Sequence, residues 1–202
     1  MNAAGAGITI WLTGLPSSGK STIARELFQR LRTRGLPVEL LDGEEVRESL
    51  SRGLGFSRAD REENVRRIGY VAKLLSRNGV IVICAAVSPF RSTRDEVRRN
   101  VKHFVEVYVE CPTDVAASRD TEGLWARAQR GEIDEFSGVN APYEPPESAE
   151  VHIRSDREQP EEAAARIIRA LELLELIPPG PQGQRSAQED DIRRRLAALG
   201  YL

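Results

Sequence analysis

The stretch GLPSSGKST, residues 14 to 22, constrains this chain more than any other feature. It satisfies G-x-x-x-x-G-K-[ST], it follows the apolar run Ile8 to Leu12, and it opens the helical pattern Lys20 to Thr33. A strand, a glycine-rich turn and a helix N-terminus in that order form a phosphate cradle, because the loop turns backbone N–H groups inward where the helix dipole favours negative charge. Gly14 and Gly19 allow the close wrap, and Leu15, Pro16, Ser17, Ser18 and Thr22 complete the loop. Lys20 is expected to bridge the β- and γ-phosphates of a nucleoside triphosphate, and the Ser21 hydroxyl to ligate Mg²⁺.

The rest of the chain agrees with that beginning. Ile8 to Leu12, Val38 to Leu41, Val80 to Ala85 and Phe104 to Glu110 are short runs rich in Val and Ile, as expected of strands buried on both faces of a parallel sheet, and Val151 to Ile153 supplies a fifth. Helical stretches are expected at Lys20 to Thr33, Arg61 to Asn78, Thr93 to Asn100, Thr113 to Arg119 and Glu161 to Leu176. The alternation predicts a three-layer α/β P-loop NTPase or nucleotide-kinase fold with a mainly parallel five-stranded sheet. Pro178-Pro179-Gly180-Pro181 breaks the pattern. Residues 1–177 are therefore read as the kinase domain and 178–202 as a Pro/Gly linker with a short amphipathic segment, DDIRRRLAALGYL, that either docks as a helix or hangs as a tail.

Bulk properties narrow the function. A net charge of −2 supplies no general attraction to nucleic acid, and no apolar stretch approaches the roughly 20 residues that span a bilayer. The start MNAAGAGITIWLTG has no basic leader, and Cys84 and Cys111 sit in or beside apolar runs as buried thiols of a reducing compartment; a cytoplasmic protein is expected.

Val38 to Leu41 runs into Asp42-Gly43-Glu44, which puts two carboxylates at the C-terminal edge of the sheet, where such folds bind ligands. Phosphoryl transfer has two tasks for carboxylates, organising Mg²⁺ through water and accepting the proton of the attacking hydroxyl. Asp42 and Glu44 are the candidates, since VIVICAA ends without an acid. A helix cap made by Asp42, with Glu45 in the first turn, is the bland alternative.

LDGEEVRESLSRGLGFSRADREENVRRIGYVAKLL, VSPFR at 87 to 91, RDTEGLWARAQRGEI at 119 to 133 and FSGVNAPYEPP at 136 to 146 closely resemble the adenylylsulfate kinases, in order and spacing, from about Ile8 to Ile177. The resemblance implies transfer of the γ-phosphate of ATP to the 3′-hydroxyl of adenylylsulfate, a dimer, and a mobile lid at about 120–137. It implies that Phe56 and Phe136 sandwich the acceptor adenine, that Arg47 and Arg61 grip the phosphosulfate, and that Asn64 also binds the acceptor. Arg119 is then the arginine over the donor adenine, and Arg127 and Arg130 either reach the triphosphate on closure or stay solvated. Ser88, phosphorylated at the equivalent position in some members, is read as a residue at the site beside Lys20, Asp42 and Glu44, or as the start of a Pro turn.

The chain also departs from the family pattern. DGD is Asp42-Gly43-Glu44 here, a lysine is Glu122, a tyrosine is Trp125, a second lysine is Asp134, and an acid is Asn140. Two lysine-to-acid changes lower the positive charge near an anionic acceptor. They leave open a kinase of the same mechanism with another nucleotide-linked acceptor, and a nucleotide-dependent binding or regulatory module.

Overall fold

In the computed structural model, which describes residues 7–180 and 187–202, thirteen elements alternate as β1 (Ile8–Thr13), α1 (Lys20–Thr33), β2 (Val38–Asp42), α2 (Gly43–Glu48), α3 (Arg58–Ser76), β3 (Ile81–Ala85), α4 (Arg91–Asn100), β4 (Phe104–Glu110), α5 (Thr113–Ser118), α6 (Leu124–Gln129), β5 (Val151–Arg154), α7 (Pro160–Leu173) and α8 (Ala187–Ala198). The strands lie in the order β2-β3-β1-β4-β5, and every pairing is parallel, with Ile8 level with Ile81 and Thr9 with Phe104. The three-layer α/β architecture expected from the alternation is the one found. Its central strand, β1, delivers the P-loop to the C-terminal edge, with β3 and β2 on one side and β4 and β5 on the other, the reversal of strand order at which such sheets bind ligands.

Alternation along the strands sets the two faces. Ile8, Ile10, Leu12, Val105, Val107 and Val109 point to one side and pack with Ile23, Leu27 and Leu31 of α1 and Ile167 and Leu171 of α7. Trp11, Val82, Cys84 and Phe104 point to the other, against Val65, Ile68 and Ala72 of α3 and Val97 of α4. The apolar rows are continuous because neither face meets water, as buried parallel strands require.

Several boundaries differ from the sequence reading. α3 starts at Arg58 rather than Arg61, because Ser57 caps it, its Oγ accepting from the Asp60 N–H at 3.2 Å. α4 starts at Arg91 and α7 at Pro160, where Glu162 reaches back to the Gln159 N–H. The short helices α2 and α6 are additional. Residues 1–6, the first part of MNAAGAGITIWLTG, and 181–186 of the polar stretch lie outside the described residues. Of the two readings of the C-terminal segment, docking is observed: Ile192 and Leu196 of α8 join the α1–α7 core, Arg166 pairs with Asp191, Arg169 with Glu189, and Arg195 Nε donates to the Ala149 carbonyl. Among the described residues no helix is long and apolar enough to cross a membrane.

Candidate active site

The P-loop occupies the turn from β1 to α1. Gly19 adopts φ 93°, in the left-handed region, and a Cβ on Gly14 would stand 2.4 Å from the Val109 carbonyl oxygen, so both glycines are required by the wrap itself. Ser17 shares the left-handed conformation, with φ 59°. Lys20 is buried, and its Nζ donates to the Leu15 carbonyl at 2.7 Å, folding the ammonium back over the loop it belongs to. Burial pushes its pKa down to about 8, against the opposing pull of Asp42 and of Cys111.

Asp42 ends β2 at the N-cap position of α2, but its carboxylate does not cap that helix. One oxygen accepts from Ser21 Oγ at 2.8 Å and the other from Arg25 Nη2 at 2.9 Å. The capping reading is overturned: the acid is turned to the P-loop serine instead. Ser21 and Arg25 stand one turn apart on α1, a spacing from which Arg25 could have been found. Glu44 lies in α2, and its side chain is outside the described residues.

α2, the turn that follows it and the start of α3 gather the residues matched to acceptor binding. The Arg47 guanidinium sits 4.7 Å from the centre of the Phe56 ring, and Arg61 lies 5.7 Å from it. Phe56 is 45% exposed, a large aromatic face left to solvent. Arg61 does not point at open space. Its Nε donates to the Phe56 carbonyl at 2.7 Å, its Nη1 to Ser137 Oγ at 2.8 Å, and its Nη2 to the Glu135 carbonyl. It thus ties the Phe56 turn to the segment that carries Phe136. Asn64 Oδ1 accepts from Ser51 Oγ, which anchors the turn between α2 and α3.

Phe136 does not share the exposure of Phe56. It is 6% exposed and meets Trp125 edge to face at 5.2 Å within a small core with Cys111, Ala116 and Ala128, against which Leu15 of the P-loop packs. A face-to-face gap between the two phenylalanines is therefore not the arrangement seen here. The 120–137 segment is folded around α6 instead: Asp120 Oδ2 accepts from the Trp125 N–H at 2.7 Å and Asn140 Oδ1 from the Phe136 N–H at 2.6 Å. Arg127 and Arg130 pair with Glu132 on the same segment, the solvated alternative of the sequence reading. Glu122 and Asp134 are exposed. Asn140 also donates to the Ile133 carbonyl at 2.8 Å, a bond that an acid could not make in its ionised form.

Arg119 ends α5, where its Nη2 donates to the Ser155 carbonyl at 2.8 Å and its Nη1 lies 3.8 Å from Cys111 Sγ. Ser88 is only 3% exposed, at φ 41°, with its hydroxyl held by Trp11 and Thr13. The hydroxyl is thus turned into the sheet rather than to solvent. Thr13, Arg94, Tyr143 and Ser155 escaped the sequence reading. The one signal available was Arg94, which recurs with Val97 on the buried face of α4.

The model of the adenylylsulphate kinase family matches residues 6–154. The adenylyl-sulfate kinase of Rippkaea orientalis is 52% identical over 168 residues, 83% of this chain and 93% of that protein. The adenylyl-sulfate kinase of Chloroflexus aurantiacus is 50% identical over 171 residues, 85% of this chain and 92% of its own. Among solved structures, the APS kinase of Mycobacterium tuberculosis in complex with AMPPNP and APS superposes with a TM-score of 0.80 at 36% identity, covering 83% of this chain and 99% of that one.

Proposed function

The chain belongs to the adenylylsulphate kinase family, and from that membership and the geometry around the P-loop we infer that it transfers the γ-phosphoryl group of ATP to the 3′-hydroxyl of adenylylsulfate, yielding 3′-phosphoadenylylsulfate for sulfate assimilation. The observation that carries this reading is the run of contacts that links the donor loop to the acceptor residues: Leu15 of the P-loop packs on the core that holds Phe136, and Arg61 bonds the Phe56 turn to residues 135 and 137. Ser21 and Asp42 are bonded to each other beside Lys20, and Arg47 and Arg61 both lie over the Phe56 ring.

The P-loop from Gly14 to Thr22 holds the triphosphate, and Lys20 leaves the Leu15 carbonyl to meet the β- and γ-phosphates. Ser21 and Asp42 offer hard oxygen ligands, which suits Mg²⁺; Ser21 would hold the ion directly and Asp42 through water. When bound, the ion neutralises charge on the phosphates. Arg119 packs against the donor adenine. Phe56 offers its exposed ring to the acceptor adenine and Arg47 its guanidinium to the phosphosulfate, while Arg61, Asn64 and Phe136 fix the turn and the segment on either side. Glu44 accepts the 3′-hydroxyl proton as transfer proceeds. Closure of the lid at about 120–137 keeps water from the γ-phosphate. Residues 1–177 form this catalytic domain and 178–202 an appended segment. The enzyme acts in the cytoplasm as a homodimer.

Of the departures from the family pattern, Glu122 and Asp134 of the lid are exposed and Asn140, just beyond it, serves the turn that places Phe136. The test is ADP release with ATP and Mg²⁺, with and without adenylylsulfate, with products resolved by mass. Adenylylsulfate-dependent ADP release, matched by gain of one phosphate on the acceptor, is expected; ATP binding without acceptor phosphorylation would refute the assignment. Glu44→Gln is expected to lower turnover by about two orders of magnitude or more while nucleotide still binds, and near-normal turnover would remove Glu44 from the role of base.

A further inference from the structure

Thr13 is the last residue of β1 and immediately precedes Gly14, so it joins the sheet to the donor loop. Its hydroxyl lies at the centre of a set of bonds that gathers three distant segments. Thr13 Oγ1 is 2.8 Å from the Val87 carbonyl, 3.0 Å from Ser88 Oγ and 3.0 Å from the Tyr143 hydroxyl. The protons in this set can be assigned. A carbonyl only accepts, so Thr13 gives its single proton to Val87. Ser88 Oγ accepts from Trp11 Nε1 at 2.9 Å and sends its own proton to Thr13, the shorter of its two choices, since the Ala86 carbonyl is 3.3 Å away. With the proton of Thr13 committed, Tyr143 must be a donor. Burial raises the Tyr143 pKa well above the usual phenol range, which keeps that proton in place at any working pH.

The surroundings of Tyr143 are fixed as firmly. The buried Arg94 donates through Nη1 to the Ser88 carbonyl at 2.7 Å and through Nη2 to the Glu144 carbonyl at 2.8 Å. The Glu144 N–H donates to the Pro89 carbonyl at 2.8 Å, and the Tyr143 ring stacks on Tyr108. Ser88, at φ 41°, holds a conformation that a residue with a side chain keeps only where its neighbours impose it. The segment that follows Phe136, the P-loop and the turn after β3 are thus joined at Thr13.

We propose that Tyr143 is a positioning residue for phosphoryl transfer: its bond to Thr13 holds the segment that follows Phe136 against the strand end that leads into the donor loop. The proposal rests on the function inferred above. Neither Tyr143 nor Thr13 needs to touch a substrate for this, so the effect falls on the transfer step and leaves ligand affinity alone. Small errors of placement are enough to slow an in-line transfer.

Tyr143→Phe removes one oxygen and keeps the stacked ring. It is expected to lower kcat about tenfold with both KM values within about twofold of wild type. Thr13→Val should do the same, Thr13→Ser should retain wild-type kcat, and the double variant Thr13→Val/Tyr143→Phe should be no slower than the slower single. A normal kcat in Tyr143→Phe, a rise confined to KM, or losses that multiply in the double variant would overturn the proposal. So would a lowered melting temperature with kcat unchanged, because that is the mark of a purely structural bond. A wild-type enzyme inactive on adenylylsulfate would refute the inferred reaction instead, and the same variants would then be compared through ATP hydrolysis, where an unchanged rate overturns the proposal.

Discussion

Raising the pH should weaken nucleotide binding through Lys20. In the nucleotide-free enzyme the ammonium is buried with the Leu15 carbonyl as its nearest partner, and desolvation lowers its pKa to about 8. Phosphate oxygens favour the charged form, so binding raises that pKa and the site must take up a proton wherever the free enzyme has lost one. With a pKa near 8, about nine-tenths of the molecules carry the charge at pH 7 and about one-tenth at pH 9. The affinity for ADP should therefore fall about tenfold between those values, or about 1.4 kcal/mol, while phosphate groups with a second pKa of about 6 stay ionised throughout. Titration calorimetry at pH 9 in two buffers of different ionisation enthalpy should show uptake of about 0.9 proton per site. A flat affinity from pH 7 to 9 with no proton uptake would refute the argument. The same shift acts on folding with a definite sign. The folded pKa lies below the unfolded value of 10.5, so between about 8 and 10.5 the unfolded chain binds more protons and this group's contribution to stability rises with pH.

Three further outcomes follow from particular contacts. Arg61→Ala removes one bond to the Phe56 turn and two to residues 135 and 137, and is expected to raise the KM for adenylylsulfate by about tenfold or more with little change in that for ATP; equal effects on both would place Arg61 elsewhere in the reaction. Gly138→Ala adds a Cβ at φ 94°, 2.9 Å from Leu15 Cδ2 and 3.0 Å from Trp125 Cη2, and should destabilise the enzyme by about 1–3 kcal/mol in urea unfolding while disturbing the contact between the P-loop and the lid core. Leu196→Ala, in a side chain with no exposed surface, should cost about 2–5 kcal/mol if α8 belongs to the main core, whereas a loss under about 0.5 kcal/mol would mean that the segment is only loosely attached.

What the sequence determined by itself is local. A phosphate loop needs a strand, two glycines, a lysine and a helix start within a few residues, and all of these are contiguous from Ile8 to Thr33, so residue order is enough to read them. The same holds for the strands, whose unbroken apolar runs report burial on both faces, and for Asp42, which falls where β2 reaches the ligand edge. Tertiary structure decided what depends on residues far apart in the chain. Asp42 faces Ser21 and not its own helix because α1 passes beside β2. Arg61 became a tie between two segments because Ser137, 76 positions away, supplies a partner that no spacing reveals. The Thr13 hydroxyl joins residues 74 and 130 positions distant. A short motif records which groups must lie near a phosphate, whereas hydrogen bonds between distant segments exist only after the sheet has brought strand ends together, and from the sequence those same serines, threonines and tyrosines are indistinguishable from solvated ones.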